Sequence, residues 1–155
     1  MAVSSVELWS TIADEAARES PLWREALRRD PEREPVFSPL LAEPRYALGL
    51  ETIYEGYLLH YGRPRLFAPP DGHTALLLGD YLYAHGLVRI ADHGDVEAVA
   101  DLAALISLCA QRRAEAAPGD GEAWASTAAR LGCRDHVADS ADVTRALAAH
   151  AARVG

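Results

Sequence analysis

Gly62-Arg63-Pro64-Arg65 and, seventeen residues after Gly62, Gly79-Asp80-Tyr81-Leu82-Tyr83-Ala84-His85-Gly86-Leu87 are the two pieces on which the reading of this chain turns. The first belongs to a loop from Tyr61 to Asp71 that closes on Pro69-Pro70-Asp71-Gly72. The second opens the most apolar helix of the protein, with Thr74 as its expected cap. From Ala75 to Ile90 only Asp80, His85 and Arg89 are strongly polar, so a helix there is expected to be buried on nearly every face. Gly79 and Gly86 lie seven residues apart and share one face. A glycine inside a helix costs roughly 1 kcal/mol against alanine, so two on one face imply a closely approaching helix, from this chain or another.

Working outward, residues 4–18 carry Val6, Trp9, Ile12, Ala13 and Ala16 at helical spacing. Ser20-Pro21 starts a second, short helix from Leu22 to Arg29. Pro31, Pro35, Pro39 and Pro44 make residues 30–44 an irregular connector, with one turn around Pro39-Leu40-Leu41. Arg45 to His60 reads as the next helix. Beyond Gly94, Asp95 caps a long helix to about Ala116, striped by Val96, Val99, Leu102, Ala103, Ile106, Cys109 and Ala110. Pro118-Gly119-Asp120-Gly121 turns the chain, Ala123 to Leu131 is a helix closed by Gly132, and Asp139 or Ser140 caps the last one, which runs to about Arg153. There is no internal repeat. The expectation is one domain over residues 1–155, an all-α bundle of six to eight helices.

Composition agrees and excludes several classes. Half of the 155 residues are apolar and few are aromatic, while alanine and leucine abound, which favours helix packed on helix. A net charge of −8 repels phosphate backbones, so nucleic acid is excluded as a partner class. The first residues lack a basic and an apolar leader region, and no apolar run reaches transmembrane length; a cytoplasmic compartment is expected. Cys109 and Cys133 sit in helical patterns without metal-ligand spacing and read as buried free thiols. His73, His85 and His93 with Asp80 match no ligand pattern on one face. Asp80, in an apolar helix, is expected to be buried with a partner that fixes the helix.

Gly62-Arg63-Pro64 and Gly79-Asp80-Tyr81-Leu82, at this separation, resemble the first aspartate-rich region of the trans-polyprenyl diphosphate synthases. There an Asp-Asp-x-x-Asp helix runs into Arg-Arg-Gly-Arg-Pro, a loop and a Gly-Asp-x-Leu helix. The resemblance covers residues 45–155: Asp95 to Gln111 is similar to the following helix, Trp124 to Gly132 to a segment ending in Arg-Leu-Gly, and Asp142 to Gly155 to the helix before the second aspartate motif. It implies a bundle of the isoprenoid synthase type that lacks the C-terminal helices. At the reactive positions the chain departs from the pattern. The family's aspartates fall on Glu51, Thr52 and Glu55, its paired arginines on His60 and Tyr61, and its catalytic lysine on Asp120. Ser38-Pro39-Leu40-Leu41 is superficially similar to the end of the isopentenyl diphosphate segment, but it lies too near Glu51 and lacks the Lys and Arg.

Ionising an allylic diphosphate requires several Mg²⁺ ions held between two carboxylate clusters. Glu51 and Glu55 share a helix face and would hold one ion weakly, or else form a solvated acidic face; no second cluster exists and no catalytic residue is assigned. Arg63 and Arg65 are the candidates for diphosphate contacts, or for solubility and a partner's acidic patch. The resemblance is to the small non-catalytic subunit of heteromeric hexaprenyl or heptaprenyl diphosphate synthases. It implies a regulatory or structural role in isoprenoid and quinone side-chain biosynthesis, with prenyltransferase activity only beside a catalytic partner. It implies no cofactor of the chain's own, Mg²⁺ entering only through that partner. The partner subunit, or a second copy, is expected on Leu78, Tyr81, Leu82, His85 and Arg89 with part of the Asp95–Gln111 helix, since a short chain cannot easily cover a helix that is apolar all round. Two alternatives stand beside this. One is a residual prenyl-diphosphate-binding protein or weak prenyltransferase, with Tyr46, Tyr54 and Tyr57 lining a prenyl-sized cavity. The other is a helical adaptor unrelated to isoprenoids.

Overall fold

The computed structural model describes residues 4–154; residues 1–3 and 155, which the one-domain expectation includes, lie outside them. Seven α-helices make up the fold: α1 (Ser5–Glu19), α2 (Pro21–Glu25), α3 (Ala47–Tyr61), α4 (Gly72–Ala91), α5 (Val96–Ala114), α6 (Asp120–Arg130) and α7 (Ser140–Val154). Single 3-10 turns at Ser38–Leu40 and Pro44–Tyr46 punctuate the proline-rich connector. No strand occurs among the described residues, only an isolated antiparallel bridge between Leu27 and Phe67. The protein is all-α.

The helix starts follow local chemistry. Ser4 and Glu7 form a capping box on α1, Ser20 caps α2 ahead of Pro21, and Asp95 accepts the Ala98 N–H at the head of α5. One cap differs from expectation: Asp71, not Thr74, caps α4, by accepting the Thr74 N–H, so the helix begins at Gly72.

The central element is α3. Every residue from Gly49 to Leu59 is buried, the three polar ones included. On one side lie Leu8, Trp9, Ile12 and Ala16 of α1 with Leu78 and Leu82 of α4, Leu66 and Phe67. On the other lie Leu102, Leu105 and Cys109 of α5, Trp124 and Ala128 of α6 and Ala146 of α7, closed by Val36, Phe37 and Leu40 from the connector. α4 runs antiparallel along α3 at glycine-limited distance. A Cβ on Gly56 would stand 2.9 Å from the Gly79 carbonyl oxygen, and one on Gly86 3.1 Å from that of Gly49. The close approach read from Gly79 and Gly86 is therefore made within the chain, against a second glycine pair on α3.

This corrects the expectation that α4 is the helix buried all round. α3 holds that place. α4 turns Gly79, Gly86 and Ile90 to α3 and lays Leu78 and Leu82 against α1, which leaves Leu76, Leu77 and Val88 exposed. Cys133 is a second correction: it is exposed beyond the end of α6, whereas Cys109 is buried as expected, and both are free thiols.

Candidate functional site

Glu51 and Glu55 sit one turn apart on α3 and face the loop that returns through Arg65. All three side chains are fully buried. Arg65 donates from Nη1 to Glu51 Oε1 at 2.9 Å and from Nε to Glu55 Oε1 at 3.0 Å. The carboxylates also accept backbone N–H groups: Val36 on Glu51 at 3.2 Å, and Arg65 and Leu66 on Glu55 at 2.9 and 2.7 Å. The Ser38 hydroxyl adds a bond to Glu51 at 2.8 Å. Nη1 and Nη2 also donate to the carbonyls of Glu34 and Glu51, and the group lies by the Trp9 and Tyr54 rings, 4.6 and 5.1 Å from their centroids. Burial alone would weaken the arginine's charge, but the two carboxylates outweigh it and raise its pKa. The pair is thus neither a solvated acidic face nor an open metal site. All four carboxylate oxygens are engaged by donors of the chain itself, and the cluster pins the connector and the 62–68 loop to α3.

The other expected positions separate in the same way. The Thr52 hydroxyl bonds back to the Leu48 carbonyl at 2.6 Å. Arg65 is sealed from solvent and cannot meet a diphosphate, whereas Arg63 is exposed and ties its loop to the end of α7, its N–H donating to the Arg153 carbonyl at 2.9 Å. Asp80 is not buried: its side chain is 70% exposed and lies 3.1 Å from His60 Nε2 at the surface. Leu78 and Leu82 are core, covered by α1 of the same chain. Tyr81 packs on Trp23 and hydrogen-bonds His85, while His85 and Arg89 pair with Glu15 of α1. The expected partner face is therefore occupied from within, because the N-terminal helix folds back over it. Tyr46, Tyr54 and Tyr57 are buried in the core, with Tyr54 and Tyr57 stacked on each other and edge-on to Trp124.

A second polar cluster gathers at the start of α6. Asp120, the first residue of α6, accepts the Tyr57 hydroxyl at 2.6 Å and Arg113 Nε at 2.9 Å, and Arg113 Nη2 donates to the Tyr57 oxygen at 2.8 Å. Next to it the Tyr54 hydroxyl and His150 Nδ1 share a hydrogen bond of 2.8 Å. Burial lowers the pKa of His150, so its imidazole is neutral at neutral pH. Burial, and then the Asp120 charge, push the Cys109 thiol up to about 12, so it is no nucleophile. Arg113, Asp120 and His150 form walls of an open groove of about 520 Å³, together with Gly119, Gly121 and Val154. One signal was present in the sequence: His150 continues the stripe Val143, Ala146, Leu147, which marks it as inward-facing. Its pairing with Tyr54, 96 positions away, was not.

No group of three or more metal-ligating side chains occurs among the described residues. Among the described residues no helix is long and apolar enough to cross a membrane. No protein-family model, curated protein or solved structure matches the chain.

Proposed function

We propose that the chain is a non-catalytic, structural or regulatory subunit that works by association, with the catalytic subunit of a long-chain polyprenyl diphosphate synthase as its partner. The observation that carries the non-catalytic part is the Glu51–Arg65–Glu55 cluster. Where the resemblance places ion-binding carboxylates, this chain spends both on an internal arginine and on backbone donors. The prenyl-binding alternative has less support, since its tyrosines are packed as core. Association is supported by where apolar surface remains. Of the eight exposed large hydrophobic residues among those described, five (Leu76, Leu77, Val88, Val96 and Leu108) lie on α4 and α5. On this reading the partner docks on the outer side of α4 and the adjoining α5, since the Leu78–Leu82 side is covered by α1.

The test is incorporation of labelled isopentenyl diphosphate onto farnesyl diphosphate with Mg²⁺. The purified chain is expected to show no turnover, and tagged chain recovered from its own cells to carry turnover with it. Turnover by the purified chain alone would sink the non-catalytic reading. A recovered complex without prenyltransferase activity would sink the isoprenoid assignment. Leu77→Glu or Val88→Glu should lose the co-purifying activity while leaving the chain folded.

A further inference from the structure

The outer face of α5 is apolar and exposed along its length. From Leu102 to Gln111 the helix carries no charged residue, on its solvent side as well as in the core. Val96, Ala100, Ala103, Ser107, Ala110 and Ala114 recur every three or four positions and are all exposed, so they form one stripe. α4, joined to α5 through residues 92–95, adds Leu77, Ala84, Val88 and Ala91 on its own exposed face, where only Asp80 is charged. The side chains of the α5 stripe are short. They make a floor on which a further helix can lie at about 8 Å between axes, the near limit for packed helices.

The charges around this floor say what kind of helix fits. The three arginines of α4 and α5 are turned away and engaged: Arg89 with Glu15 of α1, Arg112 with the Gly119 carbonyl and Arg113 with Asp120. The border is acidic. Asp92 follows Ala91, Glu97 follows Val96 and Glu115 follows Ala114 at the ends of the two faces, and the Asp80 side chain, 70% exposed, stands between them. Arg134 offsets Glu97 and Asp101, but Asp80, Asp92 and Glu115 meet no arginine among the described residues. A second copy is a poor occupant, because a two-fold contact lays the same acidic border on itself and like charges across an interface are costly. Nor can a second copy answer with lysine, since the chain has none. An anionic membrane surface is repelled for the same reason.

We propose that the α4–α5 face docks an amphipathic helix of another protein, whose apolar stripe lies on the small residues of α5 and whose flanks carry lysine or arginine. It rests on the reading above only in that the chain works by association. The partner's cations meet Asp80, Asp92 and Glu115, and the apolar stripe covers Val88 and Leu77 beside the alanine floor.

The experiment is an NMR titration of the ¹⁵N-labelled full chain with three synthetic peptides. The first is an amphipathic helix of leucine and alanine flanked by lysine, the second has glutamine in place of each lysine, and the third is a scramble of the first that has no apolar stripe. Saturable shifts confined to α4 and α5 amides are expected with the first peptide, and binding about tenfold weaker or less with the other two, as loss of charge or of the stripe implies. Ala103→Glu, at an exposed helical position, should abolish those shifts while the chain stays folded. No saturable shift with the lysine peptide would overturn the proposal, as would equal binding of the glutamine or scrambled peptide, or shifts spread over the whole acidic surface. A dimer in sedimentation that Ala103→Glu dissociates would overturn it too, by giving the face to a second copy. Should the lysine peptide fail while prenyltransferase activity still co-purifies and is lost in Leu77→Glu, the helix chemistry falls and the association above stands.

Discussion

Gly86 on α4 lies against Gly49 on α3 so closely that a Cβ on Gly86 would stand 2.4 Å from Ile53 Cγ1 and 3.1 Å from the Gly49 carbonyl oxygen. A Cβ on Gly49 would meet Ile90 at 2.5 Å. The atoms that obstruct position 86 are Cγ1 of a β-branched side chain, one bond from its branch point, and a backbone carbonyl, neither of which yields easily. α3 and α4 are therefore set at a distance that only glycine permits.

Gly86→Ala should destabilise the fold by about 1–3 kcal/mol, the cost of overpacking, despite alanine's better helix propensity. Gly72→Ala is the control: at the first position of α4 an added Cβ meets nothing within 4 Å, so stability should stay level or rise by up to about 1 kcal/mol. Urea melts of both variants check the contrast. Equal behaviour would mean that the α3–α4 spacing is not glycine-limited.

Arg65→Met should cost about 3–5 kcal/mol, because it strands two buried carboxylates. The triple variant Glu51→Leu, Arg65→Met, Glu55→Leu removes every charge yet should not regain wild-type stability. It orphans the N–H groups of Val36, Arg65 and Leu66, each worth about 1–3 kcal/mol when buried unpaired. Full recovery of the denaturation midpoint by the triple variant would show that the charges, not the backbone bonds, dominate.

The His150 imidazole is held below its ordinary 6.5 by burial. A depressed folded-state pKa means that the unfolded chain binds the proton first, so the contribution of this group to stability is fully present above 6.5 and is lost as pH falls through the folded value. His85, lowered by burial and then by Arg89, acts in the same direction. Denaturation midpoints between pH 7.5 and 5 should therefore fall on acidification, and less steeply in His150→Gln. An identical slope in the variant would remove His150 from the account.

Leu82→Glu should unfold the chain or cost more than about 3 kcal/mol, since it places a charge in the cluster shared with α1. Leu77→Glu and Val88→Glu, at side chains 59% and 56% exposed, should stay within about 0.5 kcal/mol of the parent. Thermal melts separate the two faces of α4. A well-folded Leu82→Glu variant would return that face to the surface.

The sequence by itself determined what is local. Ser4 with Glu7, Ser20 before Pro21, and Asp95 three residues before Ala98 specify helix starts, because a cap needs only residues within one turn. The prolines of the connector and the apolar stripes specify an all-α chain for the same reason, and Gly79 with Gly86 specify that some helix comes close. Which helix it is, the sequence alone left open. The count of polar residues ranks α3 and α4 nearly equal, and only the placement of neighbours on both sides of α3 made it the buried one. The periodicity of α3 puts Glu51 and Glu55 on one face, but says nothing of what opposes that face. Arg65, brought back by a loop, makes of them a sealed ion triad. Likewise Asp120 reaches Tyr57 across 63 positions, and α1 covers Leu78 and Leu82 from the far end of the chain. Burial and charge pairing depend on contacts between distant segments, whereas helical pattern repeats every 3.6 residues and carries no record of the partner.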